Sequence, residues 1–242
     1  MAPPGSVSGG WRAMDDRHGR VPTLGACGNQ GLGMMQNRLA RRALLSLGLA
    51  AAFAGSGWGA PAEVTAPIQA LNTGLLAIMR AGKAASFTRR FDMLAPMVAR
   101  AFDLDAILQA VIGLRWAALA EAEKTALRAE FRWFTIASWV ANFDSFNGEE
   151  FTLQPEPRPI GDGGLVVDTR MAAPGGTPIS LSYVMRQTGA DWRAVDILAE
   201  GTISRVAVMR SDFRQILAQG GAAALVVRLR EKNAALGAGK TE

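Results

Sequence analysis

Ile179-Ser180-Leu181-Ser182-Tyr183-Val184-Met185-Arg186 carries large apolar side chains at every second position. Period two is the geometry of a strand, so Ile179, Leu181, Tyr183 and Met185 should share one face. Upstream, Ala173-Pro174-Gly175-Gly176-Thr177-Pro178 reads as a hairpin loop, fed by a strand from Leu165 to Met171. Downstream, Thr188-Gly189-Ala190-Asp191 turns the chain into a strand from Trp192 to Leu198, which Gly201 ends. Phe151-Thr152-Leu153 begins the series, and Pro155, Pro157 and Pro159 interrupt the chain after it. Connections this short permit only antiparallel neighbours, so the four strands form a meander.

On either side of the meander the spacing is helical. Ile68, Leu71, Leu75 and Ile78 follow a 3-4-3 pattern, with Pro67 expected in the first turn and Gly82 near the end. Ser86 is placed to cap a helix bearing Phe87, Phe91, Leu94, Val98 and Phe102, and Pro96 should kink or split it. A third helix starts near Asp103 with Leu104, Ile107, Leu108 and Val111 inward. The segment from Glu121 to about Phe146 repeats Leu127, Phe131, Phe134, Ser138 and Ala141. After the meander, Val206, Met209, Phe213 and Ile216/Leu217 resume the helical period. Gly220-Gly221 should break that helix before a last one with Leu225, Val226 and Leu229. Helices grouped before and after an antiparallel sheet imply an α+β fold.

The amino-terminal part reads differently. Arg38, Arg41 and Arg42 precede an apolar run at residues 43–54, followed by small residues to Ala62. This is the tripartite pattern of an export signal, and the run falls short of the roughly 20 residues that span a bilayer. Ala60-Pro61-Ala62 fits the cleavage site, with Ala52-Phe53-Ala54 as an earlier rival. Residues 1–33, rich in Gly and Pro without apolar periodicity, read as an untranslated or unstructured extension. Residues 34–62 read as the signal peptide and 63–242 as a single domain destined for the periplasm. No cysteine follows the apolar run, which argues against a lipid-anchored form, and Arg41-Arg42 lies in a poor context for a twin-arginine signal.

Cleavage there would remove His18 and Cys27, the chain's sole histidine and cysteine. Cys/His and Ser/His/Asp nucleophilic catalysis, histidine acid–base chemistry and nearly all zinc sites are then excluded. Six of the 26 Lys and Arg residues and two of the 21 Asp and Glu residues precede residue 63, leaving 20 against 19. A domain so nearly neutral offers no case for nucleic-acid binding. Without disulfides its stability must come from core burial.

Several ordered motifs carry a resemblance. Phe87, Arg90, Leu94, Pro96, Phe102-Asp103, Gly113 and Trp116 form one series. Trp192, Asp196, Glu200-Gly201 and Ser204 form a second, and Arg210, Phe213 and Gly220 a third, ending in Leu229-Arg230-Glu231-Lys232. Together they resemble the MlaC-type "toluene tolerance" family of periplasmic phospholipid-binding proteins, across nearly all of residues 64–232. The resemblance implies a lipid shuttle between inner and outer membranes that maintains outer-membrane lipid asymmetry. Its implied partners are an inner-membrane ABC transporter complex and an outer-membrane lipoprotein complex. The cargo would be a phospholipid, or a hopanoid lipid if the chain sits in the hopanoid-associated HpnM branch. No cofactor and no catalysis are implied. The implied fold is a curved four-stranded sheet packed on several helices around an apolar lipid cavity.

The chain departs from that family in two places. Ala120 stands where a Ser commonly caps the long helix, and Trp133, Phe134, Trp139 and Phe143 replace a Tyr-rich stretch. Tyr183 is the chain's one tyrosine, so a cavity here should be drier.

Removing a two-chain lipid from a bilayer forfeits about 0.8 kcal/mol per CH₂, so a carrier must offer apolar surface that its own side chains leave unfilled. Candidate lipid-binding positions on the sheet are Val167, Ile179, Leu181, Tyr183, Val195 and Ile197. On the helices they are Leu94, Val98, Phe102, Ile107, Val111, Phe131 and Phe134. Taken singly, each competes with a plain core role. Arg205 and Arg210 are the head-group candidates, against an ordinary solvated face. Asp196 and Glu200 could form an acid–base pair, but a cap or an arginine partnership is favoured. Trp116 and Trp192 read as packing residues, and Gly161-Asp162-Gly163-Gly164 as a turn. Two other function classes fit less well. One is a non-catalytic adaptor presenting the Trp/Phe-rich helix. The other is a small cone-shaped enzyme using Asp168 or Asp196 with raised pKa values.

Overall fold

A computed structural model of the chain describes residues 61–239. Apart from Pro61 and Ala62, the expected leader and the extension before it lie outside the described residues.

The sheet is built on β3 (Gly164–Ala172), β4 (Ile179–Thr188) and β5 (Asp191–Ala199), joined as an antiparallel meander. Alternation in β4 sets the register. Met185, Tyr183, Leu181 and Ile179 stand opposite Leu165, Val167, Thr169 and Met171, and most of these side chains are buried. β1 (Glu150–Leu153) pairs with the far end of β3.

The sheet has six strands rather than the expected four. β2 (Arg158–Ile160) pairs with the beginning of β3 on the same edge as β1, and β6 (Ile203–Ser204) pairs with β5. Pro159 was expected to interrupt structure, yet it occupies the middle of β2. An edge strand tolerates a residue without an N–H. Gly164 makes this edge possible, because a Cβ there would lie 2.9 Å from Ile160 Cγ1 and 3.0 Å from the Arg186 guanidinium carbon.

The pairing of β4 with β5 contains a bulge. Val184 faces Asp196 while Met185 faces Ala194, so Val195 is the extra residue. Trp192 and Ala194 occupy the inner face before the bulge, and Ile197 and Ala199 occupy it after. Simple alternation had put Val195 on that face with Ile197; the inserted residue shifts the phase of the strand.

The helices are α1 (Pro61–Ala81), α2 (Phe87–Ala101), α3 (Leu104–Ile112), α4 (Glu121–Asn142) and α5 (Arg205–Gly237). Local chemistry sets their ends. Ser86 accepts from Arg89 N at 3.2 Å, and Asp103 Oδ1 accepts from Ala106 N at 2.9 Å. At α4 Ala120 has no hydroxyl to accept from the first turn, and only the return half of the capping box forms, with Glu123 accepting from Ala120 N at 2.9 Å. α4 stops at Asn142, short of the expected Phe146. Pro67 lies beyond the first turn of α1, and α2 runs unsplit through Pro96. α5 is broken at Gly221, whose φ of 64° and ψ of −159° suit glycine alone.

Leu71, Leu75 and Ile78 of α1 are wholly buried, and α1 packs on α2, β3 and β5. β5 also contacts α2, α3 and α5, so it is the strand on which the helices meet.

Candidate functional site

The α2–α3 junction is pinned to β5 by backbone bonding. Phe102 bridges Ala194 in parallel fashion, and Asp103 N donates to Ala194 O at 3.0 Å. This holds the Phe102 ring over the inner face of the sheet, 6.1 Å from Tyr183 and 5.9 Å from Trp139. Trp139 stacks on Phe143 at 5.3 Å, and Phe143 lies 6.4 Å from Phe151 of β1. A layer of rings thus runs between α4 and the sheet, with apolar surface on both sides.

Most of the predicted apolar positions join this interior. Leu94, Val98, Phe102, Ile107, Val111, Phe131, Val167, Leu181 and Tyr183 are buried, while Phe134, Ile179, Val195 and Ile197 are half-buried. Trp139, Phe143, Met185 and Ala194 belong to the same interior and were not among the predicted site residues. The first two were visible as the aromatic replacements on α4. Ala194 was hidden by the bulge.

Tyr183 places its hydroxyl in this dry layer with no hydrogen-bond partner. The nearby Thr169 hydroxyl gives its own proton to Leu181 O at 3.1 Å. Burial pushes the Tyr183 phenol up, and Thr169 offsets this only partly.

The two head-group candidates are placed elsewhere. Arg205, the first residue of α5, is half-buried; desolvation lowers its pKa, opposed by Asp212 and Asp196. Arg210 donates from Nε to Ala110 O at 2.8 Å, tying α5 to α3. Instead, a pocket of about 400 Å³ opens where the α2–α3 junction, α4 and β5 meet. Ala99, Phe102, Leu104 and Ala129 give it apolar walls, and Arg128, Arg132, Arg193, Asp103 and Asp105 line the rest. Phe102 is the one predicted site residue in it. The three arginines were not among the predicted site residues, although the i, i+4 spacing of Arg128 and Arg132 places both on one side of α4.

The carboxylates named for acid–base chemistry have structural partners. Asp168 pairs with Arg158, whose Nη2 donates at 3.1 Å, and also accepts from the Ser182 hydroxyl. Hydrogen bonding to Arg158 holds the Asp168 carboxyl below the usual carboxylate range, opposite to what a general acid needs. Asp196 accepts from Val206 N at 3.0 Å and from Ser204, and so caps the start of α5. Among the described residues there is no group of three or more His, Cys, Asp or Glu placed to hold a metal ion, and no helix long and apolar enough to cross a membrane.

The family described as MlaC protein matches residues 69–231. No curated protein matches the chain. Seven solved chains are similar. One is a phospholipid-binding protein from Ralstonia solanacearum, solved in complex with a phospholipid. It has a TM-score of 0.62 and 18% identity, covering 72% of this chain and 98% of that one. That likeness extends to the α+β fold described above.

Proposed function

The chain belongs to the MlaC protein family, and on that premise we propose that it is a periplasmic carrier of phospholipid. The reading is supported most by one observation: the family match spans the whole of the sheet and all or most of each helix that covers its inner face. The solved phospholipid-binding protein with the same fold adds to it. The cargo's acyl chains would enter the interior between α4 and the sheet, displacing the mutual contacts of Phe102, Trp139 and Tyr183. Each CH₂ transferred there regains about 0.8 kcal/mol, which is what makes extraction from a bilayer thermodynamically accessible.

In this reading the export signal delivers the protein to the periplasm. An inner-membrane ABC transporter complex and an outer-membrane lipoprotein complex exchange lipid with it. The role is non-catalytic: the chain binds, shields and releases, and the cargo takes the place of a cofactor. A hopanoid lipid would share the apolar requirement but not the phosphate.

Native mass spectrometry of the protein purified from a bacterial periplasm without detergent tests this directly. Adducts with phospholipid masses, released on denaturation, are expected. A bare mass, together with no uptake of lipid from vesicles, would overturn the carrier reading and promote the adaptor or enzyme alternatives.

A further inference from the structure

The pocket beside Phe102 carries more donors than its own acceptors use. Asp103 is fully engaged: Oδ1 caps α3, and Oδ2 accepts from the Thr188 hydroxyl at 3.1 Å. Asp105 lies 3.6 Å from Arg128 Nε, and Arg128 also donates to Glu121 at 2.9 Å. Arg193 reaches Asp191, two residues back along the exposed start of β5, at 3.3 Å. The Nε–H groups of Arg128 and Arg193 are nevertheless buried without a hydrogen-bond acceptor. Arg132, one turn along α4 from Arg128, is exposed and makes no hydrogen bond or ion pair among the described residues.

Guanidiniums arriving from two separate elements, α4 and β5, suit an anion with several acceptor oxygens pointing in different directions. A tetrahedral phosphate has that shape, whereas a planar carboxylate would be met by one arginine. The apolar side of the pocket matters equally. Phe102 lines it and also touches Tyr183 and Trp139, so the polar mouth lies directly above the dry layer. A volume of about 400 Å³ is at the small end of ligand sites, suited to a head group rather than to two acyl chains.

We propose that this pocket seats a phosphate group through Arg132 and Arg193, with the group's organic substituent running past Phe102 into the interior. The chemistry stands on the pocket alone; a lipid as the source of the phosphate rests on the carrier reading.

The test uses the full chain and its R132Q, R193Q and R132Q/R193Q variants, with R214Q as an exposed-arginine control and circular dichroism as the check on folding. Vesicles of digalactosyldiacylglycerol, a phosphate-free lipid, are doped with phosphatidic acid, and the lipids taken up are compared. Titration with inorganic phosphate is followed by calorimetry in parallel. We expect wild type and R214Q to enrich phosphatidic acid over the galactolipid. The double variant should lose about tenfold or more of that enrichment, the scale of one charge-assisted hydrogen bond, while galactolipid uptake persists.

If neither lipid is taken up but inorganic phosphate binds wild type and not the double variant, the phosphate site stands and the carrier reading falls. If both lipids enter without preference, or the preference survives in the double variant, the phosphate proposal is overturned and the carrier reading is untouched. Should R193Q misfold, R132Q alone decides, because its side chain is exposed and a change there leaves the core intact.

Discussion

Arg90 is buried in α2 and donates from Nη1 to the carbonyl of Val140 at 3.0 Å. Val140 lies in the last turn of α4, where carbonyl groups have lost their intrahelical partners. A guanidinium there also meets the negative end of the helix dipole. One side chain thereby satisfies an orphan acceptor and fixes the end of α4 against α2.

Replacing Arg90 by Met should leave that carbonyl buried and unpaired. A loss of about 2 kcal/mol is expected, typical of a hydrogen bond to a charged group, and would be read as a lower urea midpoint at unchanged slope. An unchanged midpoint would mean that water replaces the contact at no cost.

Asp168 gives the fold an acid-sensitive contact on the outer face of the sheet. Its carboxyl is held below the ordinary range by hydrogen bonding to Arg158, partly offset by burial, so the unfolded chain takes up a proton first as pH falls. The contribution is therefore complete above the unfolded carboxylate range and is lost as pH drops through the lowered folded value. The pair is partly exposed, which limits the effect to under about 1 kcal/mol. Asp168→Asn should flatten the acid limb of a stability-versus-pH curve and lower the neutral plateau slightly.

Tyr183→Phe tests the unpartnered hydroxyl. Removing a buried donor that has no acceptor should be neutral or mildly stabilising in the lipid-free protein, contrary to the usual cost of a core change. Thermal melting of the delipidated protein would show an unchanged or raised Tm. A clear fall would mean that the hydroxyl has a partner after all, with Thr169 as the nearest candidate.

Gly221 is the break in α5. Any Cβ at φ 64° and ψ −159° meets backbone strain of about 1–3 kcal/mol, even though nothing else lies nearby. Gly221→Ala should lower stability by that amount, or straighten the helix and draw Leu225 and Leu229 out of the core. Urea unfolding and far-ultraviolet dichroism separate the two outcomes.

The parts of this fold that could be read in advance are those fixed by neighbours in sequence. Alternation across Ile179–Met185, the cap at Ser86, the helix start near Asp103 and the break at Gly220-Gly221 are each local matters of side-chain period or backbone preference. β2 escaped because three residues around a proline carry no period. The bulge escaped because an extra residue is defined only by the strand beside it. The arginine pocket escaped for a similar reason. Arg132 and Arg193 come to line one pocket only after Asp103 N has bonded Ala194 O, a pairing of residues far apart in the sequence. Arg205 and Arg210 looked better placed in the sequence because they follow the last strand directly.

The bulge at Val195 makes β5 two half-strands of opposite parity written as one. Trp192 and Ala194 count inward on even numbers, Ile197 and Ala199 on odd ones. A comparison of relatives that slides this segment as a rigid block will match core to surface on one side of Val195, whichever offset is chosen. Loss of Val195 alone would erase that change of parity: Ala194 and Asp196 would follow one another in plain alternation opposite Met185 and Val184, and both halves would keep their faces.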